Sequence, residues 1–146
     1  VGIDPSRELL SMARAHTSWV HFPVKLMEGS AEDLPLEDGA LDSVVMTWTL
    51  CSVGDPARVL AEARRVLRPG GALIFVEHGQ APEGGIRRWQ DRLTPLWRRC
   101  AGGCHLNRPV DRLIEAAGLK LVELETGYLV HGPKPFTFHY RGRAVR

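Results

Sequence analysis

The sequence predicts an α/β fold with a mostly parallel sheet and an antiparallel strand pair at its C-terminal end. Three observations support this class. Short apolar runs alternate with segments whose apolar residues recur at helical spacing, as in βαβ units. Two Asp-Pro pairs, at residues 4–5 and 55–56, each begin a helical segment. The last two apolar runs, 119–125 and 136–143, alternate apolar and polar residues, which is typical of strands with one exposed face.

The N-terminal segment is predicted to be the end of a strand followed by a helix. Residues 1–3 are short and apolar, and the helix then runs to about residue 16. Asp4 is its expected N-cap and Pro5 its first residue, because Asp accepts hydrogen bonds from the first turn and Pro needs no donor there. Residues 24–28 form the second strand.

The middle of the chain contains a loop, two strands and a helix. Residues 31–40 are acidic and rich in turn formers, which predicts a loop. The third strand, 41–47, has consecutive apolar residues, so we expect cover on both of its faces. A helix starts at Asp55-Pro56 and is expected to stop at Pro69-Gly70-Gly71. The uninterrupted apolar run 72–77 is the fourth strand and is expected to be central.

Two helices and two strands complete the prediction. Residues 86–99 form a basic helix with an expected apolar stripe of Trp89, Leu93, Leu96 and Trp97. A shorter helix, 109–117, ends at a glycine. The alternating segments 119–125 and 136–143 are expected to pair antiparallel at a sheet edge.

The composition excludes several classes of protein. Of 146 residues, 44% are hydrophobic and 25% charged, which excludes a disordered or fibrous chain. A net charge of +2 is too small to indicate nucleic-acid binding. No apolar run approaches the roughly 20 residues that cross a bilayer, and the first residues do not resemble a signal peptide. Three cysteines, an odd number, favour a reduced, cytoplasmic protein.

Polar residues at strand ends are the candidates for ligand binding, because ligands of open α/β sheets bind at the carboxyl ends of the strands. An acidic residue such as Asp4 typically accepts hydrogen bonds from ribose hydroxyls there, but it could equally cap the helix. Gly29 either lets an adenine ring approach the backbone or is an ordinary turn residue. Thr47 and His78 end the third and fourth strands.

Four motifs occur in a fixed order: Val-Gly-Ile-Asp-Pro-Ser at 1–6, Glu-Gly-Ser-Ala-Glu-Asp-Leu-Pro at 28–35, Leu-Asp-Ser-Val-Val at 41–45 and Ala-Glu-Ala-Arg-Arg-Val-Leu-Arg-Pro-Gly-Gly at 61–71. Together they resemble class I S-adenosylmethionine-dependent methyltransferases, in the branch that contains the ubiquinone and menaquinone C-methyltransferases. Further segments are similar to the methyltransferase-like alkyl-thiol methyltransferases of animals and their bacterial relatives; these are Leu-Cys-Ser-Val at 50–53, Glu-His at 77–78, Trp-Gln at 89–90 and Gly-Cys-His-Leu-Asn-Arg at 103–108.

The resemblance implies a Rossmann-like sheet with S-adenosylmethionine as cofactor. It implies that Asp4, with Pro5 beside it, binds the ribose. It also implies that the adenine lies against Gly29, Ser30 and Ala31. Thr47 would lie beside the methionine part of the cofactor. Many relatives have Asp in place of Ser30, so we expect a weaker adenine contact here or one made by the backbone.

The glycine-rich loop of this family has no counterpart in the sequence. Such a loop normally precedes the acidic strand end by about 20 residues, whereas three residues precede Asp4 and no Gly-x-Gly occurs. We therefore expect residues 1–146 to be a single incomplete methyltransferase domain, about its C-terminal two-thirds, lacking the first strand and the glycine-rich loop. We also expect this chain alone to bind S-adenosylmethionine poorly.

Methyl transfer from a sulfonium needs little acid–base help, because positioning the acceptor supplies most of the rate. Where the acceptor must lose a proton, His78 is the candidate general base; otherwise it is a histidine hydrogen-bonded at a strand end. Cys51 is interpreted as a packing residue. The spacing Cys100-x3-Cys104-His105 is not that of a zinc site, so no metal is expected.

The resulting hypothesis is a methyltransferase that moves a methyl group from S-adenosylmethionine to a small or lipophilic acceptor, whether a thiol, an amine or a ring carbon. The alternatives are a non-catalytic remnant or interaction module with part of this fold, and a nicotinamide-dependent oxidoreductase, which the missing glycine motif disfavours. The basic helix either contacts a membrane peripherally or is a solvated face over a core stripe. A homodimer is expected if apolar strand edges are exposed.

Overall fold

The chain forms six strands and four α-helices, with parallel strands connected through helices, which confirms the predicted α/β class. The computed structural model describes residues 1–146, apart from the side chain of Ser18. Two short 3₁₀ helices lie at Thr17–Trp19 and Lys134–Phe136. The other elements are β1 (Gly2–Asp4), α1 (Arg7–His16), β2 (Leu26–Glu28), β3 (Leu41–Thr47), α2 (Pro56–Val66), β4 (Leu67–His78), α3 (Gly84–Cys100), α4 (Val110–Ala116), β5 (Lys120–Tyr128) and β6 (Phe138–Val145).

The strands form two hydrogen-bonded sheets. β1 pairs in parallel with β2, which brings Asp4 opposite Glu28. The larger sheet has the order β3-β4-β6-β5. Within it, β4 runs parallel to β3 and antiparallel to β6, and β6 runs antiparallel to β5. The predicted antiparallel pair at the sheet edge is therefore confirmed, and the pairings as a whole are mixed.

A cavity of about 240 Å³ lies between β1 and β3. Its walls are largely apolar and come from both strands, including Ile3 and Val44. Among the described residues, these two strands belong to separate sheets. Their facing edges are open, as we expect for a sheet that lacks a strand at this place.

Two helix boundaries show how local chemistry sets the elements. α1 begins two residues later than predicted, because Ser6 and not Asp4 is its N-cap: Ser6 Oγ accepts a hydrogen bond from Leu9 N at 3.2 Å. α2 begins as predicted, with Asp55 Oδ1 accepting from the first-turn amides and Pro56 at the start. It ends before the Pro-Gly-Gly turn, because Leu67 already pairs with Leu41 in the sheet.

The core lies on one face of the larger sheet. Helices α2 and α4 pack there, and their fully buried residues are Val59, Leu60, Ala63, Val66, Val110 and Ile114. On the opposite face Val45 is 66% exposed and Ile74 is 42% exposed. The expectation that β3 is covered on both faces is therefore wrong, because the described helices cover only one.

The predicted apolar stripe of α3 is confirmed for Leu93 and Trp97, which are half-buried, and wrong for the other two residues. Trp89 and Leu96 are exposed, whereas Gln90 and Thr94 are buried. Gln90 faces inward because its amide satisfies three backbone groups, accepting from Ala81 N and donating to Gly79 O and Pro135 O. A polar residue that replaces missing backbone hydrogen bonds is stable in a core.

Candidate functional site

The predicted site residues lie at the carboxyl ends of strands, as expected. Asp4 ends β1, Gly29 follows β2, and Thr47 and His78 end β3 and β4. Because each pair, β1–β2 and β3–β4, runs parallel, the two ends of each pair lie at one edge.

Asp4 organises the turn between β1 and α1. Its Oδ1 accepts a hydrogen bond from Ser6 N at 2.7 Å, with Pro5 exposed between them. The sequence-based assignment of Asp4 as N-cap and Pro5 as first helical residue is thus wrong, since both lie in the turn before the helix. In the described part of the chain Oδ2 of Asp4 has no hydrogen-bond donor, so this oxygen is available to a ligand.

The segment after β2 is a tight turn packed on β1. Gly29 N donates to Asp4 O at 3.3 Å, and a Cβ at Gly29 would approach Ile3 Cγ2 to 3.2 Å. Ser30 Oγ accepts from Glu32 N at 3.1 Å, so its side chain serves the turn. Ala31 is half-buried and packs against the core. The turn therefore lies beside Asp4, as predicted.

Trp48 follows Thr47 in a left-handed conformation, with φ of +50°. A non-glycine residue with positive φ is uncommon and often marks a functional site. Its amide donates to Val76 O at 2.9 Å, which holds the turn against β4, and its ring meets His139 edge-on at 6.4 Å. Sequence reasoning placed Trp48 at the end of the third strand but gave it no role of its own, because nothing in the local pattern indicates a positive φ.

Glu77 holds the loop after β3. Its side chain is fully buried and accepts hydrogen bonds from Thr49 N at 2.8 Å and Cys51 N at 3.1 Å. Burial raises the pKa of Glu77 to about 7 against the lowering effect of these amides. Sequence reasoning also left Glu77 without a role. The available signal was an acidic residue directly after the apolar run of β4, because a charged group that becomes buried there needs hydrogen-bond partners.

A pocket of about 280 Å³ opens beside this loop. Its walls are Trp48, Cys51, Ser52, His78, Trp97, Ala101 and Cys104. His78 is half-buried; its Nδ1 lies 3.4 Å from Cys104 Sγ, and its ring packs on His139 at 4.3 Å between centroids. The pocket joins the end of β3, the end of β4 and the loop after α3.

The two buried thiols of this pocket interact. The nearby Cys104 thiol, together with burial, raises the pKa of Cys51, and the nearby Cys51 thiol lowers the pKa of Cys104 to about 7. Cys100, the third cysteine, is exposed and donates to backbone carbonyls of α3. His105 Nδ1 contacts Cys51 O at 3.1 Å. Cys100, Cys104 and His105 therefore do not form one cluster.

Comparison with known proteins identifies the family. A sequence model described as "Methyltransferase domain" matches residues 1–75, which is half of the chain. The chain is 42% identical over 117 residues to thiol S-methyltransferase TMT1B of Rattus norvegicus, covering 76% of this chain and 46% of that protein. It is 36% identical over 157 aligned residues to demethylmenaquinone methyltransferase of Bacillus cereus, covering 94% of this chain and 62% of that protein.

The fold is also that of known methyltransferases. A crystal structure from Thermotoga maritima, described as a SAM-dependent methyltransferase and possible histamine N-methyltransferase, superimposes with a TM-score of 0.71 at 24% identity. The match covers 99% of this chain and 72% of that one. The chain spans about half the length of the curated thiol methyltransferases that it matches. From the match of the family model to half of the chain and the identity to these relatives, the chain belongs to the methyltransferase domain family.

Proposed function

We propose that the protein transfers a methyl group from S-adenosylmethionine to a small, lipophilic acceptor. The observation that carries this proposal is the position of Asp4, the Gly29–Ala31 turn and Thr47 at strand carboxyl ends, in a member of the methyltransferase domain family. Positioning the acceptor in line with the sulfonium methyl supplies most of the rate for such a transfer. No acid–base group is then required for an acceptor that is already deprotonated.

The residues present fit this cofactor. Asp4 Oδ2 is available to accept a hydrogen bond from a ribose hydroxyl, and the neighbouring residue, Pro5, is exposed. Gly29 N donates to Asp4 O, so the Gly29–Ala31 turn that we expect to contact the adenine lies beside the carboxylate that we expect to bind the ribose. S-adenosylmethionine supplies the activated methyl group; the chain supplies the ribose acceptor and the shape of the site.

We assign the acceptor to the pocket beside His78. Its indole rings, Trp48 and Trp97, favour an apolar group. Among thiols, amines and ring carbons we favour a lipophilic thiol, because relatives at 40–43% identity carry the name thiol S-methyltransferase. The role of His78 as a general base stays a prediction.

The test uses the protein expressed from its complete gene. Cofactor binding is measured by calorimetry, and products are detected by mass spectrometry from a thiol, an amine and a quinol that share one alkyl chain. We expect the thiol to be methylated fastest, and we expect Asp4→Asn to weaken cofactor binding at least about tenfold, the loss of one charge-assisted hydrogen bond. Asp42→Asn is the control. Asp42 lies near the start of β3, away from the carboxyl end at Thr47, and forms an exposed ion pair with Arg68.

Three results would contradict parts of the proposal. Absence of cofactor binding would favour a non-catalytic remnant of the fold. Bound cofactor with no product from any of the three acceptors would exclude the acceptor classes named here. Equal loss of binding in the Asp4 and Asp42 variants would show that Asp4 has no specific role.

We also propose that α3 contacts anionic lipid surfaces from outside the bilayer. Trp89 and Leu96 are exposed on this helix, and Arg92 lies over the Trp89 ring at 5.9 Å. Exposed apolar side chains among arginines support interfacial binding. Among the described residues no helix is long and apolar enough to cross a membrane. The expected cytoplasmic location and homodimer are further proposals, to be checked by cell fractionation and by sedimentation.

A further inference from the structure

We propose that Cys51, His78 and Cys104 form a binding site for a zinc ion. The two Sγ atoms and a ring nitrogen of His78 all lie within 4.8 Å of one another. Tetrahedral zinc with S and N ligands requires ligand separations of about 3.5–3.8 Å. The His78 Nδ1–Cys104 Sγ distance of 3.4 Å is close to the lower end of this range. Small side-chain rotations would bring all three donors to one ion.

The three ligands come from separate segments that the fold holds together. Cys51 is in the loop after β3, where Glu77 accepts a hydrogen bond from its amide at 3.1 Å. His78 ends β4 and packs on the ring of His139. Cys104 lies after α3, and the next residue, His105, donates its amide to Cys51 O at 2.6 Å. The backbone therefore fixes the donors before any ion binds.

The donor set selects the class of ion. Two thiols and an imidazole are soft or borderline ligands, which zinc prefers and which calcium and magnesium do not. The cysteines would bind as thiolates, whose two negative charges balance a divalent cation.

A buried donor gives independent support for a thiolate at this place. Trp97 Nε1 is buried and has no hydrogen-bond partner within ordinary geometry among the described residues. Trp97 and Cys104 both line the pocket that contains the three donors. A thiolate bound to a metal ion commonly accepts a hydrogen bond from outside the ligand shell. Zinc binding would thus provide the indole with an acceptor that carries full charge.

The site leaves one coordination position free. The three donors form one wall of the 280 Å³ pocket, and the rest of that wall consists of indole rings, Ala101 and the hydroxyl of Ser52. Zinc sites with three protein ligands typically hold water at the fourth position. The proposed ion would therefore face the pocket. Metal binding itself is independent of the proposed methyl transfer and is measured without cofactor or acceptor.

The first test uses Co²⁺ as a spectroscopic probe of the protein from its complete gene, reduced and stripped with a chelator. We expect one equivalent of Co²⁺ to produce thiolate-to-metal charge transfer and the visible bands of tetrahedral coordination, and Zn²⁺ to abolish both. Cys104→Ser and Cys51→Ser should weaken Co²⁺ binding by at least about 100-fold, since loss of even an outer-shell partner costs about 10–100-fold. The matched control is Cys100→Ser, because Cys100 is exposed and outside the cluster.

A second measurement keeps the proposal testable if a variant does not fold. Zinc binding to the native state must raise the melting temperature of the unmodified protein in proportion to the logarithm of the free zinc concentration. His78→Gln should remove this shift, and Cys100→Ser should retain it. Absence of thiolate bands in the unmodified protein would overturn the proposal. A Cys51–Cys104 disulfide in protein purified without reductant, together with no Co²⁺ binding after reduction, would identify a redox pair instead.

Discussion

The carboxylate of Glu77, at the end of β4, accepts a hydrogen bond from the backbone amide of Thr49 at 2.8 Å. Its other oxygen accepts from Cys51 N at 3.1 Å, so one side chain fixes the loop that follows β3. Hydrogen bonds to a charged group contribute about 1.5–3 kcal/mol each to stability. The conformation of this wall of the pocket therefore depends on Glu77.

We expect Glu77→Gln to destabilise the protein by about 2 kcal/mol, because the amide NH₂ would face a backbone N–H where an acceptor is required. The free energy of unfolding in urea measures this change. Glu123→Gln is the control, since Glu123 is exposed on β5. An equal effect of both substitutions would show that the buried hydrogen bonds contribute nothing specific.

Gly103 shapes the loop that carries Cys104. Its φ is +85°, and a Cβ would lie 2.9 Å from Ser52 O. We expect Gly103→Ala to cost about 1–3 kcal/mol, from the left-handed backbone and the clash together. Gly102→Ala is the matched control, because Gly102 also has positive φ but meets nothing within 4 Å. Thermal melts of both variants test this, and an effect of Gly102→Ala as large as that of Gly103→Ala would contradict it.

The Gln90 side chain, on α3, makes hydrogen bonds to backbone groups of two other segments of the chain. Its amide contacts Ala81 N, Gly79 O and Pro135 O at 2.9–3.2 Å. Gln90→Ala leaves these groups unpaired, at an expected cost of about 2 kcal/mol or more. Gln80→Ala should cost much less, since the Gln80 side chain makes one contact of 3.4 Å. Chemical denaturation compares the two, and similar midpoints would exclude this role for Gln90.

Glu62 predicts a pH dependence of stability. The hydrogen bonds from Arg65 are the largest cause of its pKa lying below the ordinary value of 4.5, and the Leu34 amide adds to it. A carboxylate whose pKa is lower in the folded state contributes stability that is complete above the unfolded-state pKa. That contribution is lost as the pH falls through the lower, folded-state pKa. The stabilised window therefore lies above about pH 4.5.

Melting temperatures measured from neutral to acid pH check this dependence. Glu62→Gln should melt at lower temperature than the parent near neutral pH, and the two curves should converge below the folded-state pKa. Glu37→Gln, at an exposed position in the nearby loop, should follow the parent curve throughout. A constant difference between Glu62→Gln and the parent across the acid range would contradict the assignment.

The lipid contact of α3 gives the fifth prediction. Replacing Trp89 and Leu96 together by Ser should reduce sedimentation with anionic vesicles severalfold, because these exposed side chains supply the apolar contact. The control replaces Val122 and Leu124 by Ser, since these are exposed apolar residues on β5 without an arginine-rich helix around them. Equal binding of both variants, or no binding of the parent, would exclude the contact.

Much of the fold was predictable because it depends on local chemistry. The bounds of β3 and the start of α2 at Asp55-Pro56 agree with the prediction, since strand-length apolar runs and an N-cap followed by Pro act within a few residues. The order of the elements along the chain and the position of Asp4 at the end of β1 were predicted from the same kind of local signal. The N-cap of α1 was wrong because two adjacent candidates, Asp4 and Ser6, differ only in which hydrogen bond the turn permits.

The sequence by itself determined the order of elements, the methyltransferase-like motifs and the residues at the strand carboxyl ends. Tertiary structure decided which face of α3 is buried, where the open face of the sheet lies, and the grouping of Cys51, His78 and Cys104. The physical reason is that these features depend on contacts between segments far apart in the chain. Such contacts leave no periodic signal in the sequence, whereas caps, turns and strand runs do.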